Sequence, residues 1–209
     1  MQYGMFYTTD KNQHGLPHDP FKSCVVPRPI GWISSISAKG IVNLSPYSFF
    51  NGVASDPPIV VYGSSGRTRF GDKDTLTNIS ETGEFVVNIA TWDLRDAMNR
   101  SSASLPPDVD EFEYAGLEAA PSELVRPPRV KASPIHLECV HHQTIELPHD
   151  KPDTRNALVL GRVVGVHIDD SVLTEGLVDL HKVKPIARLG YLDYALVDTI
   201  FTMPRPKAP

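Results

Sequence analysis

The chain has 209 residues, with 20 Lys and Arg against 25 Asp and Glu and a formal net charge of −5, which excludes the broadly basic surface that nucleic-acid binding draws on. Hydrophobic residues at 41% and charged residues at 22% are the make-up of a globular domain, not of a disordered or fibrous chain. There is no basic-then-apolar leader and no apolar run of bilayer length, and Cys24 and Cys139 stand far apart, so the expectation is a cytoplasmic protein without a membrane span, holding two buried free thiols.

Residues 1–209 read as one domain with its core at about 20–205. Pro29–Ser37 (PIGWISSIS) predicts a strand, Ala38–Gly40 a short turn and Ile41–Leu44 the returning strand. Ser45–Pro58 (SPYSFFNGVASDPP) reads as a loop, yet Tyr47, Phe49 and Phe50 bring large apolar surface to a place where small polar residues are usual. Ile59–Ser64 (IVVYGS) is a further strand. Asp72–Gly83 predicts a helix, with capping residues at its start, Leu76 and Ile79 at helical spacing, and Gly83 as the stop. Gly83–Ala90 (GEFVVNIA) is almost continuously apolar and predicts a strand buried on both faces. Trp92–Ser102 predicts a second helix with Leu94, Ala97 and Met98 along one stripe, and DVDEFE (Asp108–Glu113) reads as the solvated start of another.

Ile135–Leu147 alternates, which predicts a half-buried antiparallel strand with Ile135, Leu137, Cys139 and His141 inward and His136, Glu138 and His142 toward solvent. In the strand Ala157–Asp169, Gly161 and Gly165 predict bends or close backbone approach. Tyr191–Phe201 is strand-like too. The 19 prolines are about 9% of the chain against a usual roughly 5%, and they cluster at turns, which implies many short extended segments. Such a chain predicts a mainly β barrel with a few short helices.

Two neighbourhoods carry chemistry. The first hairpin and its following segment offer Ser34, Ser35, Ser37, Asn43, Ser48 and Asn51 beside the flat surface of Phe49 and Phe50. The second is the start of the Asp72–Gly83 helix, where unpaired amides and the positive dipole end suit a phosphate, Lys73 adds a charge and Thr75 a hydroxyl. Asp74 is assigned to capping or a structural pair. Together they suit a phosphorylated planar heterocycle. No metal site is expected, since the adjacent His141 and His142 point opposite ways on a strand, and His167 is assigned a structural hydrogen bond. No catalytic acid, base or nucleophile is nominated.

PRPIGWISSIS, KGIVNLSPYSFFN, SDPPIVVYGSS and KDTLTNISETGEFVVNI, followed by DEFEYAG, PPRVKASPIHLEC, LGRVVGVHID and ARLGYLDY, run in order from about Pro27 to Arg205. This series resembles the flavin reductase-like family, and the resemblance implies an FMN-binding split β-barrel of Greek-key type. It implies that Ser34, Ser35, Ser37 and Asn43 meet the phosphate and ribityl chain, and that Ser48, Phe49, Phe50 and Asn51 line the isoalloxazine. Lys73 and Thr75 complete the phosphate site, with Arg188 as a further candidate for the same anion. The implied assembly is a homodimer, the flavin FMN with FAD left open, the donor NAD(P)H, and the acceptor oxygen, a metal centre or a partner oxygenase. One departure stands out: where many such reductases carry Gly-Asp-His for the nicotinamide, this chain reads Thr154-Arg155-Asn156. A flavin-binding electron carrier or store, and an oxidase using FMN on a different organic substrate, remain as alternatives.

Overall fold

The computed structural model describes residues 4–207. Seven strands form one antiparallel sheet: β1 (Gly31–Ile36), β2 (Val42–Tyr47), β3 (Phe50–Ser55), β4 (Pro58–Ser65), β5 (Glu84–Ile89), β6 (Ile135–Leu147) and β7 (Asn156–Ile168). Their order across the sheet is β2-β1-β5-β6-β7-β4-β3. The two edge strands are therefore consecutive in sequence, with only Ser48 and Phe49 between them. In a flat sheet of seven strands the edges would stand about 29 Å apart, at about 4.8 Å per strand. The step from Tyr47 to Phe50 spans at most about 11 Å of extended chain. The sheet must curl until its edges nearly meet, which makes a barrel with a seam at Ser48–Phe49. The amide of Gly63 donates to the Phe49 carbonyl at 2.7 Å and holds that seam against β4.

Alternation then sorts the side chains. Ile33, Tyr47, Tyr62, Phe85, Cys139 and Val159 fill the barrel, and helix α1 (Asp74–Thr82) adds Leu76 and Ile79 to the same core. The Tyr47 and Tyr62 rings pack at 4.7 Å between centroids, and Tyr62 meets Phe85 edge-on at 6.2 Å. Outside the barrel, Trp32, Leu44, Met98, Phe112 and Val130 form a second core with helices α2 (Arg95–Arg100) and α3 (Glu111–Ala115). Both faces of β5 are thus covered, as its apolar run implies. A small sheet of Arg28–Pro29, β8 (Ile186–Arg188) and β9 (Tyr194–Leu196) lies to the side. No helix among the described residues is long and apolar enough to cross a membrane.

Several expectations need correction. Ser45–Pro58 is mostly strand, because Phe50–Ser55 pairs with β4 and the Phe50 ring lies on Gly31, where a Cβ would come within 2.6 Å of Phe50 Cδ2. The acidic start of α3 is not solvated: Glu111 is buried and accepts the Leu44 amide at 3.0 Å, while Asp110 caps Phe112. His136 and Glu138 are buried rather than solvent-facing, since residues 119–133 cover the outer face of β6 and the Glu123 and Leu124 amides donate to Glu138 at 2.8 and 2.6 Å. His142 is exposed, and His141 is half-buried with its ring nitrogen 2.8 Å from Thr144 Oγ1. His167 makes its structural bond to Glu138, at 2.5 Å. Cys139 is buried but Cys24 is exposed. Of the strand-like tail only Tyr194–Leu196 pairs, as the residues beyond have no ladder partner among the described residues.

The glycines of β7 fall where its register against β6 shifts, between Leu160 and Gly161 and between Val163 and Gly165. A Cβ at Gly161 would lie 2.2 Å from Phe85 Cζ, whereas one at Gly165 would meet nothing nearer than 3.4 Å. Gly161→Ala is therefore expected to lose about 1–3 kcal/mol of stability through overpacking, with Gly165→Ala losing far less. Urea unfolding of both variants checks this, and equal losses would contradict the packing.

Candidate functional site

The site grows from the inward face of the first hairpin. The ladder sets Ser35 opposite Asn43, Ile33 opposite Ser45 and Gly31 opposite Tyr47. Helix α1 lies against this face, and the amide groups of two asparagines fix it there. Asn43 Nδ2 donates to Thr75 Oγ1 at 2.8 Å and to Ser35 Oγ at 3.3 Å, and Asn78 Nδ2 donates to Ser35 Oγ at 3.1 Å. A cleft of about 280 Å³ opens at the amino end of α1, lined by Asn43, Ser45, Tyr47, Lys73, Asp74, Thr75 and Glu111. The N-cap residue is Lys73, in extended conformation, and no side chain caps the helix. Asp72 and Asp74 therefore do not cap it, contrary to the sequence reading.

The electrostatics of this cleft are uneven. Lys73 is half-buried, with Nζ 5.2 Å from the Tyr47 ring centroid. It belongs to none of the ion pairs among the described residues. Burial, and then the charge of Lys22, holds its pKa below the usual range. A desolvated cation without a counter-charge gains from any anion that enters. Arg67 offers less, because it is paired with Asp72 at 2.7 Å. Burial pushes the Tyr47 phenol up to about 12, so it is a protonated donor. Its oxygen is buried with no well-formed hydrogen bond, although Thr75 and Ser45 stand close enough to temper the burial.

The lining also carries two carboxyl groups. Asp74 is half-buried and raised above its usual range by burial, and it takes part in no ion pair among the described residues, so the structural-pair expectation is also corrected. Burial lifts Glu111 to about 7, against the Leu44 amide bond, with Asp74 and Asp110 adding to the rise.

The residues singled out from the sequence separate into groups. Asn43, Lys73 and Thr75 share the cleft, and Ser35 is wholly buried behind them. Ser34 points through the sheet to the other layer, donating to the Pro128 carbonyl at 2.5 Å and accepting from Asn88 at 3.3 Å. Ser37 Oγ accepts the Ile41 amide at 3.0 Å and closes the hairpin turn. Along the seam, Ser48 accepts from Arg28 Nε at 3.4 Å, Phe49 is partly exposed with the Arg28 guanidinium 5.8 Å from its ring, and Phe50 packs on the core. Asn51 is exposed, and its Oδ1 accepts the Gly52 amide at 2.9 Å. Arg188 lies apart, in a different cleft, bonded to the Tyr191 carbonyl and the Tyr194 hydroxyl. Sequence reasoning missed Ser45, Tyr47 and Glu111 as lining residues. The first two continue the alternation of Asn43 along β2, a signal hidden when Ser45 onward is read as loop.

A curled seven-stranded sheet split at a two-residue seam defines a split-barrel architecture, and a Shewanella frigidimarina protein with a split barrel domain has this fold, at TM-score 0.81 and 22% identity over 97% of this chain and 100% of that one. The chain belongs to the flavin reductase-like family: residues 23–187 match the Flavin reductase like domain. It is similar to nitrilotriacetate monooxygenase component B from Bacillus cereus, with 33% identity, TM-score 0.86 and coverage of 97% of this chain and 100% of that one. The 2-nitrobenzoate 2-nitroreductase of Pseudomonas fluorescens is 26% identical, with TM-score 0.83 and 98% of both chains covered.

Glu111 gives the site a pH signature. Its native pKa of about 7 lies above the usual 4.5, so its contribution to stability is whole below about pH 4.5 and fades as pH rises through 7. Unfolding free energy measured between about pH 5 and pH 8 is expected to fall less steeply in Glu111→Gln than in the parent protein. Identical slopes would show that this carboxyl is ionised throughout.

Proposed function

We propose that this protein is an FMN-binding oxidoreductase of the flavin reductase type, with the phosphate in the Lys73 cleft and the ring along Ser48–Asn51. The observation that carries this reading is the half-buried Lys73 ammonium, without an ionic partner among the described residues, at the amino end of α1. Tyr47 links it to the seam, since it lies under Lys73 and directly precedes Ser48. The lining suits a phosphorylated heterocycle: the Lys73 ammonium stands beside Thr75 and Asn43, and the Tyr47 hydroxyl has no well-formed hydrogen bond.

Bound flavin would supply hydride acceptance and onward electron transfer, while the protein sets position and polarity. Burying a ring system of roughly 150–250 Å² contributes about 4–6 kcal/mol at most, and each charge-assisted bond to phosphate adds about 1.5–3 kcal/mol. Micromolar or tighter reversible binding needs no covalent link. We assign NAD(P)H as donor and a homodimer as the working unit, with a partner oxygenase supported by the likeness to a monooxygenase component B.

A second reading, a flavin-bound electron carrier or store without nicotinamide turnover, is favoured by one observation. Thr154–Asn156 replaces Gly-Asp-His, and Arg155 is engaged by Asp72 at 2.6 Å and by Glu146. Oxidation of NADH or NADPH in the presence of FMN, followed by loss of nicotinamide absorbance, separates the two. Lys73→Ala is expected to weaken FMN binding by about 1.5–3 kcal/mol, roughly ten- to a hundredfold, and to leave riboflavin affinity nearly unchanged. Equal losses for both ligands would remove the phosphate from Lys73.

A further inference from the structure

Beside β8 and β9 lies a second cleft, of about 410 Å³, which the flavin reading leaves unused. Its volume is that of a small-molecule site. Met98, Ile186 and Leu196 give it an apolar floor, and its rim carries two aromatic–arginine pairs. Arg95 Cζ lies 4.2 Å from the Trp92 ring centroid, and Arg188 Cζ lies 4.4 Å from that of Tyr194. Trp92 remains 42% exposed and Tyr194 38%, so each ring keeps surface for a further contact.

The charges on this wall lack balance. Arg188 donates only to neutral oxygens, the Tyr191 carbonyl and the Tyr194 hydroxyl. Arg95 donates to the Trp92 carbonyl at 2.7 Å and approaches only Asp96, 3.7 Å away with its side chain 85% exposed, a pair of little strength in water. Behind Arg188, directly across the ladder, stands Arg28, which is 5% exposed and donates to the carbonyls of Lys22, Val25 and Leu189. Neither Arg28 nor Arg188 is in an ion pair among the described residues. Burial, and then Arg188, lowers the proton affinity of Arg28. Guanidinium forks match carboxylates and phosphates, and they stack on rings.

We propose that this cleft is a second ligand site for a small planar aromatic anion, its acid group meeting Arg95 and Arg188 and its ring lying against Trp92 or Tyr194. The assignment does not depend on where flavin sits, but it places the occupant near the seam. Arg28 joins the two places, since it pairs with Arg188 on one side and donates to Ser48 at 3.4 Å on the other. Two sources share this chemistry: the adenylate end of a dinucleotide and a free aromatic carboxylic acid.

Titration calorimetry on the full chain, run without flavin and again with one equivalent of FMN, tests it, using adenosine monophosphate and benzoate as probes and adenosine and benzyl alcohol as their neutral counterparts. At least one anion is expected to bind about tenfold more tightly than its counterpart. Arg95→Gln, at a side chain that is 42% exposed, is expected to weaken that binding about tenfold, and Lys73→Ala to leave it unchanged. Binding of the nucleotide alone assigns a dinucleotide, and of benzoate alone an aromatic acid; binding of both supports the shared chemistry. The proposal is overturned if neither anion binds, if the neutral probes bind as well, or if Arg95→Gln has no effect. A loss in Lys73→Ala equal to that in Arg95→Gln overturns it too, by placing the anion in the other cleft.

Discussion

A two-residue connection governs this molecule. Ser48 and Phe49 must carry the chain from one edge of a seven-stranded sheet to the other, and no flat sheet allows it. Curling follows, and with it an enclosed interior in which Tyr47, Tyr62 and Phe85 pack ring against ring. The same constraint makes a seam. Where a barrel is split, backbone groups of the edge strands lack ladder partners and stand available to something else. Here the Phe49 carbonyl is taken by Gly63, and Phe50 is pinned on Gly31. The aromatic segment is thus held at two points, while Phe49 stays 37% exposed.

Next to the seam, satisfied and unsatisfied polar groups lie side by side, and that contrast separates scaffold from the proposed ligand site. Ser35, Asn43, Thr75 and Asn78 are buried and bonded to one another, so they tie α1 to the hairpin as a closed network. Lys73 and the Tyr47 hydroxyl, a few ångströms away, have no such closure. A buried network that is complete fixes geometry, while donors left over beside it define where a ligand is wanted. Ser34 illustrates the difference from its neighbour: both are wholly buried, but its bonds run to Pro128 and Asn88 in the outer layer, away from the cleft.

Elements whose pattern depends on local spacing were legible in the sequence. The run GEFVVNIA announces burial on both faces, and Phe85, Val86 and Val87 are all fully buried. Gly161 announces close approach, and Phe85 supplies it. Lys73 and Thr75 are adjacent to one helix start in the sequence, and they line one cleft there. What stayed hidden depended on a distant partner. Phe50–Ser55 is a strand because β4 lies beside it, and Glu111 is buried because the Leu44 amide needs an acceptor. Glu138 sits on the polar side of an alternating strand, yet two amides from a covering segment bury it. Alternation tells which residues share a face of a strand; it does not tell whether the polar face is covered.

The departure at Thr154–Asn156 has a structural meaning of its own. Arg155, just before β7, binds Asp72 and Glu146, and Asp72 also holds Arg67. Arg155 first, with Arg67 behind it, keeps the Asp72 carboxyl below its usual range. Asp72 directly precedes Lys73, so this linked set of charges anchors the turn that presents the ammonium to the cleft. Single exposed ion pairs contribute little, but a bidentate arginine shared between two carboxylates holds direction as well as charge. In place of Gly-Asp-His, the residues here tie down the turn that carries Lys73. The residues that stand in place of Gly-Asp-His thus act on the cleft at one remove, through the carboxylate that precedes Lys73.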